Sequence, residues 1–359
     1  MPETPKIRVL VVDDSLVIRK ILGEVLSANA ATEVAATAGS GEMALLKIEQ
    51  VHPDVVTLDV EMPGMGGLRA LAEIRKRHPK LPVIMFSTLT ERGAAATIEA
   101  LALGATDYVT KPASSGGAGA ARRQVEQELV DKIIALRPRR ALGQVPKTLP
   151  PALHKGLPRR IDIVAIGSST GGPGALADLI PRLPGDFPVP IVIVQHMPAL
   201  FTKLLSERLN SLSKINVHEG QRGQKLAAGD VYIAPGDHHL IVLQKGADAV
   251  LDLNQDAPEN SCRPAVDVLF RSVARVFGPH VLGVVLTGMG SDGALGAKAI
   301  REAGGQVLVQ DEATSVVWGM PGAVVAAGQA EQILPLGAIA PELVRRVTAQ
   351  RRTAAVGSI

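Results

Sequence analysis

The sequence predicts an α/β protein made of two doubly wound parallel-sheet domains joined by a linker. Strand-length apolar segments alternate with segments of helical periodicity over residues 5–122 and again over 160–352. Parallel strands need crossover helices, so this alternation is typical of parallel sheets. Only 2% of the 359 residues are aromatic, and the cores must therefore be built from Val, Ile, Leu and Ala. The length also exceeds what one ordinary core holds, which favours two domains.

The first domain, residues 5–122, contains five predicted βα repeats. The strands are predicted at IRVLVVDD, TEVAATAG, PDVVTLDV, LPVIMFST and ATDYVTKP. The helices between them are predicted at SLVIRKILGEVLSA, GEMALLKIEQ, GLRALAEIRKRH and ERGAAATIEALALG. Such a short repeat leaves room for one crossover helix between successive strands, which predicts a doubly wound sheet.

A linker is predicted over residues 123–159. Its first part, within ARRQVEQELVDKIIAL, has the spacing of an amphipathic helix. The stretch that follows, from Arg137 to Arg160, is rich in proline and basic residues and has no apolar periodicity. Proline stiffens such a segment and its charge extends it, so it is expected to connect two domains.

The second domain, residues 160–352, repeats the α/β pattern. Its clearest strands are IDIVAI, PIVIVQ, DVYIAP, HLIVLQ, VLGVVLTG and GQVLVQ. Its clearest helices are Pro173–Ile180, Leu200–Leu209, Pro264–Val276, Gly293–Glu302 and Ala340–Thr348.

Composition disfavours several classes of protein. The net charge of +3 comes from the basic linker rather than from a basic face with aromatic platforms, which argues against a nucleic-acid partner. No apolar run is long enough for a membrane span, and the N-terminus does not resemble a signal peptide. The single cysteine, Cys262, cannot form an intrachain disulfide, which fits a cytoplasmic location; we expect it to be a buried small hydrophobic residue.

Acidic residues end two strands of the first domain. Asp13 and Asp14 end the first strand and Asp59 ends the third, while Ser87 and Lys111 end the fourth and fifth. Functional groups gather beyond the carboxyl ends of strands in open parallel sheets. Carboxylates brought together there repel one another unless a cation joins them, and oxygen ligands of this kind suit Mg²⁺. Such a site allows one aspartate to attack a phosphoryl donor.

A turn of small residues, GSSTGGPG, follows the first strand of the second domain. Residues Gly167 to Gly171 fit the G-x-S-x-G pattern of a nucleophile elbow between a strand and a helix. A backbone anion site and a plain turn remain alternatives. The third glycine of a dinucleotide fingerprint and the lysine of a phosphate-binding loop are both missing from this turn.

A nucleophilic serine needs a base and a group that orients it. His196 lies just beyond the strand PIVIVQ, and His238 and His239 are competing candidates that also follow a strand. Asp292, in a glycine-rich turn after another buried strand, can orient the histidine, but it can equally cap the helix that follows.

Four motifs of the first domain, VVDDS, VTLDVEMPGM, FST and DYVTKP, closely resemble the receiver domain of two-component response regulators. The resemblance implies a flavodoxin-like fold and phosphorylation of Asp59. Many receivers carry an acid where this chain has Gly66, which puts only the geometry of that loop in question. By the same resemblance, Mg²⁺ would be bound by Asp13, Asp14, Asp59 and the backbone carbonyl of Glu61. Ser87 and Lys111 would contact the phosphoryl group. Tyr108 would be the mobile aromatic residue.

Five motifs of the second domain, AIGSSTGG, VIVQHMP, VYIAPGDHHL, CRPAVDVLF and LTGMGSDGA, resemble the catalytic domain of the chemotaxis protein-glutamate methylesterases. The resemblance implies a Rossmann-like serine hydrolase with Ser169 as nucleophile, His196 as base and Asp292 orienting it. Ser168 takes the variable position before the nucleophile. The backbone N–H groups of Thr170 and Met289 are the candidate oxyanion donors, and Arg263 and His238 are expected to line the substrate groove.

Together, the two resemblances imply a phosphorylation-activated hydrolase of chemotaxis or a related chemosensory pathway. Its substrates would be glutamate methyl esters, and specific glutamines, on chemoreceptors, and a sensor histidine kinase would be its phosphodonor. Mg²⁺ would serve the receiver, and the esterase chemistry would need no cofactor. The alternative is a phosphorylation-controlled binding module whose second domain holds an anion without covalent chemistry.

Overall fold

The computed structural model describes residues 5–111, 127–137 and 160–356, which form two compact units. Most of the predicted linker, 123–159, lies outside these residues. Of the predicted linker helix, residues 127–135 are described and helical, and this segment is α5. Its buried side chains, which include Leu129 and Ile133, recur at helical spacing.

The first unit is a five-stranded parallel sheet in the order β2-β1-β3-β4-β5, flanked by helices. This is the predicted doubly wound sheet. Its strands are β1 (Ile7–Val12), β2 (Thr32–Ala38), β3 (Val55–Asp59), β4 (Val83–Ser87) and β5 (Asp107–Thr110). Its other helices are α1 (Leu16–Ala28), α2 (Gly41–Val51), α3 (Gly66–Arg77) and α4 (Glu91–Ala102).

Side-chain caps explain where three of these helices begin. The hydroxyl groups of Ser15, Ser40 and Thr90 each accept a hydrogen bond from a backbone N–H in the first turn of α1, α2 and α4. These N–H groups have no partner within the helix, so a cap hydroxyl stabilises the first turn. The loops after β1 and β4 are therefore held short, which keeps their polar residues at the sheet edge.

The second unit contains a seven-stranded parallel sheet in the order β14-β13-β12-β6-β7-β9-β8. Its strands are β6 (Ile163–Ser168), β7 (Ile191–Gln195), β8 (Asn216–Glu219), β9 (Asp230–Ile233), β12 (Val281–Val285), β13 (Gln306–Gln310) and β14 (Gln332–Leu334). The helices are α6 (Gly172–Leu179), α7 (Ala199–Leu212), α8 (Val266–Phe277), α9 (Ala294–Glu302), α10 (Met320–Ala326) and α11 (Leu336–Val356). Every residue of the central strands β6, β7 and β12 is buried.

The segment HLIVLQ departs from the predicted architecture. It forms β10 (His239–Lys245), which pairs antiparallel with β11 (Asp248–Asn254) in a separate two-stranded sheet. Only two residues connect these strands, and the first, Gly246, has a φ of +61°. A connection this short can join only antiparallel neighbours, so β10 and β11 form a hairpin rather than successive strands of a parallel sheet.

Four elements of the second unit were not predicted: β8, β11, β14 and α10. The strands β8 and β14 are only four and three residues long and lie at the two edges of the sheet. Segments this short carry too few apolar positions to show a period. Within the described residues, no helix combines the length and the apolar character needed to cross a membrane.

We predict that Lys132 is required for the stability of the first unit. Its ammonium lies 3.2 Å from Asp107 Oδ2, donates to the Tyr108 carbonyl at 2.6 Å and lies 5.0 Å from the centre of the Tyr108 ring. Lys132→Met leaves the buried Asp107 carboxylate without its cation and is expected to lower the free energy of unfolding by about 3 kcal/mol.

Urea unfolding followed by circular dichroism measures this loss. Fluorescence of Trp318, which lies in the second unit, is expected to follow an unchanged transition. The control Lys298→Met removes an exposed ion pair with Glu302 and is expected to cost less than about 0.5 kcal/mol. Equal effects of the two substitutions would contradict the assigned role of Lys132.

Candidate active site and acidic site

The polar strand ends of the first unit form an acidic site at one edge of its sheet. The Lys111 ammonium lies 3.0 Å from Asp13 Oδ2 and 2.8 Å from Asp59 Oδ2. Asp13 and Asp59 are buried, whereas Asp14 is exposed. One carboxylate oxygen from each of these three aspartates lies within 4.8 Å of the others, a spacing that fits a shared divalent cation.

Burial dominates the electrostatics of Asp59. It raises the pKa of that carboxyl to about 6, with a further contribution from Asp13, while the hydrogen bond from Lys111 opposes the rise. Burial alone would lower the pKa of Lys111, but its contacts with Asp59 and Asp13 outweigh burial and raise it. Excess negative charge at this edge is therefore only partly neutralised by the lysine, which favours binding of a further cation.

The other predicted residues of the acidic site make their contacts with residues other than Asp13 and Asp14. The Glu61 N–H donates to Asp59 Oδ1 at 3.2 Å. The Ser87 hydroxyl is buried and donates to the Gly93 carbonyl at 3.0 Å. Tyr108 is buried beneath the Lys132 ammonium. Gly66 has a φ of +68°, a left-handed conformation that explains a glycine at this point of the loop.

In the second unit, the predicted serine turn lies between β6 and α6. The Ser169 N–H donates to the Thr287 carbonyl at 3.0 Å, and Gly171 has a φ of +77°. Ser168 is fully buried and its hydroxyl donates to Gln195 Oε1 at 2.7 Å. Ser169 is half-buried, and its hydroxyl has no hydrogen-bond partner among the described residues. The turn therefore uses one hydroxyl to hold the structure and leaves the other available.

Gln195, the last residue of β7, was not among the predicted site residues. Its Nε2 donates to the Ser169 carbonyl at 3.0 Å and lies 3.3 Å from the His196 carbonyl. Its Oε1 accepts the Ser168 hydroxyl, so one buried amide joins the serine turn to the segment after β7. The available signal was a lone polar residue at the end of an otherwise apolar strand.

His196 and Asp292 meet beyond the ends of β7 and β12. The His196 Nε2 lies 2.8 Å from Asp292 Oδ2, and Asp292 is buried. This carboxylate also accepts the N–H groups of Val266 at 2.6 Å and of Asp267 at 2.9 Å, which begin α8. Asp292 therefore caps α8, whereas the alternative prediction had it cap the following helix, whose N-cap is Gly293.

These contacts set the charges of the pair. Burial would raise the pKa of Asp292, but the hydrogen bond with His196 and the backbone donors of α8 outweigh burial and lower it. Burial would lower the pKa of His196, but Asp292 and the Cys262 sulfur outweigh it and raise the pKa to about 9. The positive end of the α8 dipole also favours an ionised Asp292.

The second ring nitrogen of His196 faces a residue that sequence analysis treated as a buried apolar one. Cys262 is half-buried, and its Sγ lies 3.5 Å from His196 Nδ1. Among the described residues, His196 makes no hydrogen bond with Ser169. The structure thus brings His196 and Asp292 into contact and leaves the serine hydroxyl outside this network.

The backbone amides of Thr170 and Met289 donate no hydrogen bond to any described residue. Thr170 itself is buried, and its carbonyl accepts the Thr287 hydroxyl at 2.9 Å. Both amides lie in the loops after β6 and β12, strands that are direct neighbours in the sheet. Uncommitted N–H groups at such positions are able to stabilise an oxyanion.

The competing histidines and Arg263 have other partners. His239 is buried, with its Nε2 3.2 Å from the Ala257 carbonyl and its Nδ1 accepting the Ala265 N–H. His238 Nδ1 lies 3.3 Å from the Gly236 carbonyl. Arg263 forms an ion pair with Asp237 at 2.6 Å and donates to two backbone carbonyls. The two contacts of His239 stabilise the backbone at Ala257 and Ala265. Arg263 joins the loop that contains Asp237 to the segment that follows β11.

Comparison with known proteins identifies the family that each unit resembles. Residues 164–343 match the sequence-family model described as CheB methylesterase, and residues 9–117 match that described as response regulator receiver domain. A protein of Trichodesmium erythraeum named protein-glutamate methylesterase/protein-glutamine glutaminase is 50% identical over 96% of this chain and 99% of its own length. A protein of the same name from a Nocardioides species is 51% identical over 97% of each chain.

A solved structure also relates the second unit to a CheB methylesterase catalytic domain. The chain is similar to the crystal structure of the Thermotoga maritima CheB methylesterase catalytic domain, with 43% identity and a TM-score of 0.51. The match covers 52% of this chain and 99% of that one. With near full-length identity of about one half to two curated relatives, this chain belongs to the CheB methylesterase family, with an N-terminal receiver domain.

Proposed function

We propose that this chain is a phosphorylation-activated protein-glutamate methylesterase and glutaminase, with Ser169 as nucleophile, His196 as base and Asp292 orienting the base. Its substrates are methylated glutamates and specific glutamines on the cytoplasmic part of chemoreceptors, which implies a cytoplasmic location. The observation that supports this most strongly is the buried His196–Asp292 pair at the sheet edge that also carries the Ser169 turn. A serine with a free hydroxyl beside such a pair favours covalent chemistry over passive anion binding.

In the proposed reaction, Ser169 Oγ attacks the carbonyl carbon of the ester and His196 takes the hydroxyl proton. The N–H groups of Thr170 and Met289 stabilise the oxyanion. His196 then returns the proton to the departing methoxide, and methanol leaves. Water, activated by the same histidine, attacks the acyl-enzyme and releases glutamate. With a glutamine side chain the same steps release ammonia.

The contact with Asp292 decides which nitrogen of His196 takes the proton. Because Nε2 is paired with Asp292 Oδ2, we assign the acceptor role to Nδ1. In this structure Nδ1 faces the Cys262 sulfur, so the thiol must yield this position to Ser169 Oγ during the reaction.

For regulation we propose that Asp59 accepts a phosphoryl group from the sensor histidine kinase of the chemotaxis pathway. Asp13, Asp14, Asp59 and the Glu61 carbonyl would hold Mg²⁺, which supplies positive charge beside the transferred group. Lys111 would pair with a phosphoryl oxygen and Ser87 would donate to another, with Tyr108 changing position. Phosphorylation would then shift the population of the chain towards a form with higher esterase activity.

We predict that Ser169→Ala abolishes methanol release from methylated receptor membranes because it removes the attacking oxygen. A serine-directed phosphonate is expected to label the wild-type chain at residue 169. Ser168→Ala provides the matched control, because the Ser168 hydroxyl is bound to Gln195, and this variant should still be labelled. Esterase turnover by Ser169→Ala, or a label on Ser168, would exclude our nucleophile.

We predict that the pH profile of kcat/KM reflects the raised pKa of His196. The base acts only when neutral, so activity should fall as the pH drops below about 9. Asp292→Asn removes one of the two groups that raise this pKa, so that burial, which lowers it, is opposed by Cys262 alone. The acidic limb should then move to lower pH, while kcat falls by about 10³- to 10⁴-fold because the base is no longer oriented. If the acidic limb of the pH profile of Asp292→Asn lies at the same pH as that of the wild type, Asp292 does not set the pKa of His196.

We predict that a small-molecule phosphodonor with Mg²⁺ raises the turnover of the wild-type chain and not that of Asp59→Ala. The substitution removes the proposed phospho-acceptor and leaves the residues of the serine site intact. Methanol release before and after addition of the phosphodonor measures the increase, and omission of Mg²⁺ serves as the control. Equal stimulation of both proteins would contradict phosphorylation at Asp59 as the switch.

A further inference from the structure

A tight turn, residues 259–262, lies directly against the His196–Asp292 pair. Glu259 and Cys262 exchange two backbone hydrogen bonds, at 3.2 Å and 2.8 Å. The two residues between them, Asn260 and Ser261, have φ values of +52° and +61°. Two successive left-handed residues are the geometry of a type I′ turn, in which asparagine is strongly favoured.

The Asn260 side chain links two buried carboxylates. Its Nδ2 donates to Asp292 Oδ1 at 3.0 Å and to Asp267 Oδ2 at 3.0 Å. The amide nitrogen carries two hydrogens, one for each carboxylate. Asp267 Oδ1 and Asp292 Oδ1 also both accept the Gly293 N–H at 2.9 Å, which places the two carboxylates side by side.

Two adjacent buried carboxylates repel each other, and their donors offset this. Burial and the charge of Asp292 both raise the pKa of Asp267. Apart from His196, the donors to this pair among the described residues are backbone N–H groups, which the fold holds in place, and the Asn260 amide. Asn260 is thus the side-chain amide that bridges the pair and that a substitution can remove.

We propose that Asn260 is a positioning residue of the esterase site, which holds Asp292 ionised and aimed at His196 by bridging it to Asp267. The proposal rests on the proposed function of His196 and Asp292. Without the bridge, Asp267 Oδ2 loses the one donor that the described residues give it, and Asp292 Oδ1 keeps only the N–H groups of Asp267 and Gly293. The repulsion between the two carboxylates is then relieved by rotation of the Asp292 side chain or by uptake of a proton. Either change weakens the contact with His196 Nε2.

The titratable groups that face this cluster come from four segments, one of which is the turn 259–262 that carries Cys262. Asp267 lies on α8, Asp292 lies in the loop after β12, and His196 follows β7 with Cys262 against its other nitrogen. Because Asp292 raises the pKa of His196, a weaker contact lowers the pKa of that histidine from about 9. Loss of Asn260 therefore changes the pH profile as well as the rate.

The test compares Asn260→Gly with Ser261→Gly. Glycine accepts the left-handed backbone at both positions, so the turn is retained, and Ser261 is exposed with no side-chain hydrogen bond to a described residue. For Asn260→Gly we expect kcat on methylated receptor membranes to fall about 10- to 100-fold, the effect of losing one hydrogen bond to a charged group. KM should stay within about twofold, and the acidic limb should move to lower pH. Ser261→Gly should match the wild type.

A double variant separates the bridge from general damage to the turn. Asp267→Asn replaces the second carboxylate by an amide, so Asn260→Gly should cost less in the Asp267→Asn background than in the wild type. Equal losses in both backgrounds, or an unchanged kcat and pH limb in Asn260→Gly, would overturn the proposal. Nuclear magnetic resonance titration of His196 gives a readout that does not need turnover.

Ser169→Ala in the same assay keeps the two hypotheses apart. If Ser169→Ala retains full turnover, the proposed function itself fails. If Ser169→Ala is inactive while Asn260→Gly behaves as the wild type, only the role of Asn260 fails.

Discussion

The backbone ladder between β6 and its two neighbours positions the whole serine site. The ladder continues past the strand ends: the Leu286 N–H donates to the Gly167 carbonyl at 2.9 Å, and the Ser169 N–H donates to Thr287 at 3.0 Å. On the other side, the His196 N–H donates to the Ser168 carbonyl at 3.1 Å. Three loops that are distant in sequence are therefore held at fixed offsets by ordinary sheet hydrogen bonds. Parallel pairing brings all three to the same edge.

The buried carboxylate Asp292 depends on that alignment and in turn stabilises it. Its oxygens satisfy N–H groups at the start of α8 that have no partner within the helix, so the same contacts stabilise the helix and the ionised aspartate. An isolated buried charge would be costly, and here several donors and the His196 ring offset that cost. The site that we propose for catalysis is thus also part of the structure of α8, which explains why its acid sits so deep.

Much of this arrangement was accessible from sequence because parallel sheets place functional residues at strand ends. Asp13, Asp59, His196 and Asp292 were proposed on that basis, and the two doubly wound sheets are confirmed by the structure and by the solved relative of the second unit. The hairpin at HLIVLQ was not predicted, since an apolar strand does not reveal its partner. Periodicity describes one segment at a time, whereas pairing depends on the connection that follows.

The residues that sequence analysis missed are those whose role arises only from contacts between distant segments. Gln195 and Asp267 lie within the motifs VIVQHMP and CRPAVDVLF but were assigned no role, and Asn260 lies outside the motifs. Each contacts the site across tens of residues of sequence. Cys262 was expected to be a buried apolar residue, because a lone cysteine gives no indication of the imidazole against it. Asp292 was considered as a helix cap, and it is one, although for a helix earlier in the chain.

The Gln195 amide has a consequence for motion within the site. One planar group contacts the carbonyls of Ser169 and His196 and accepts the Ser168 hydroxyl, so the peptide units of the proposed nucleophile and base share a single rigid partner. A shift of either peptide unit alone would break one of the hydrogen bonds that this amide makes. The amide therefore constrains the separation between the two peptide units, and with it the distance from the half-buried Ser169 to His196.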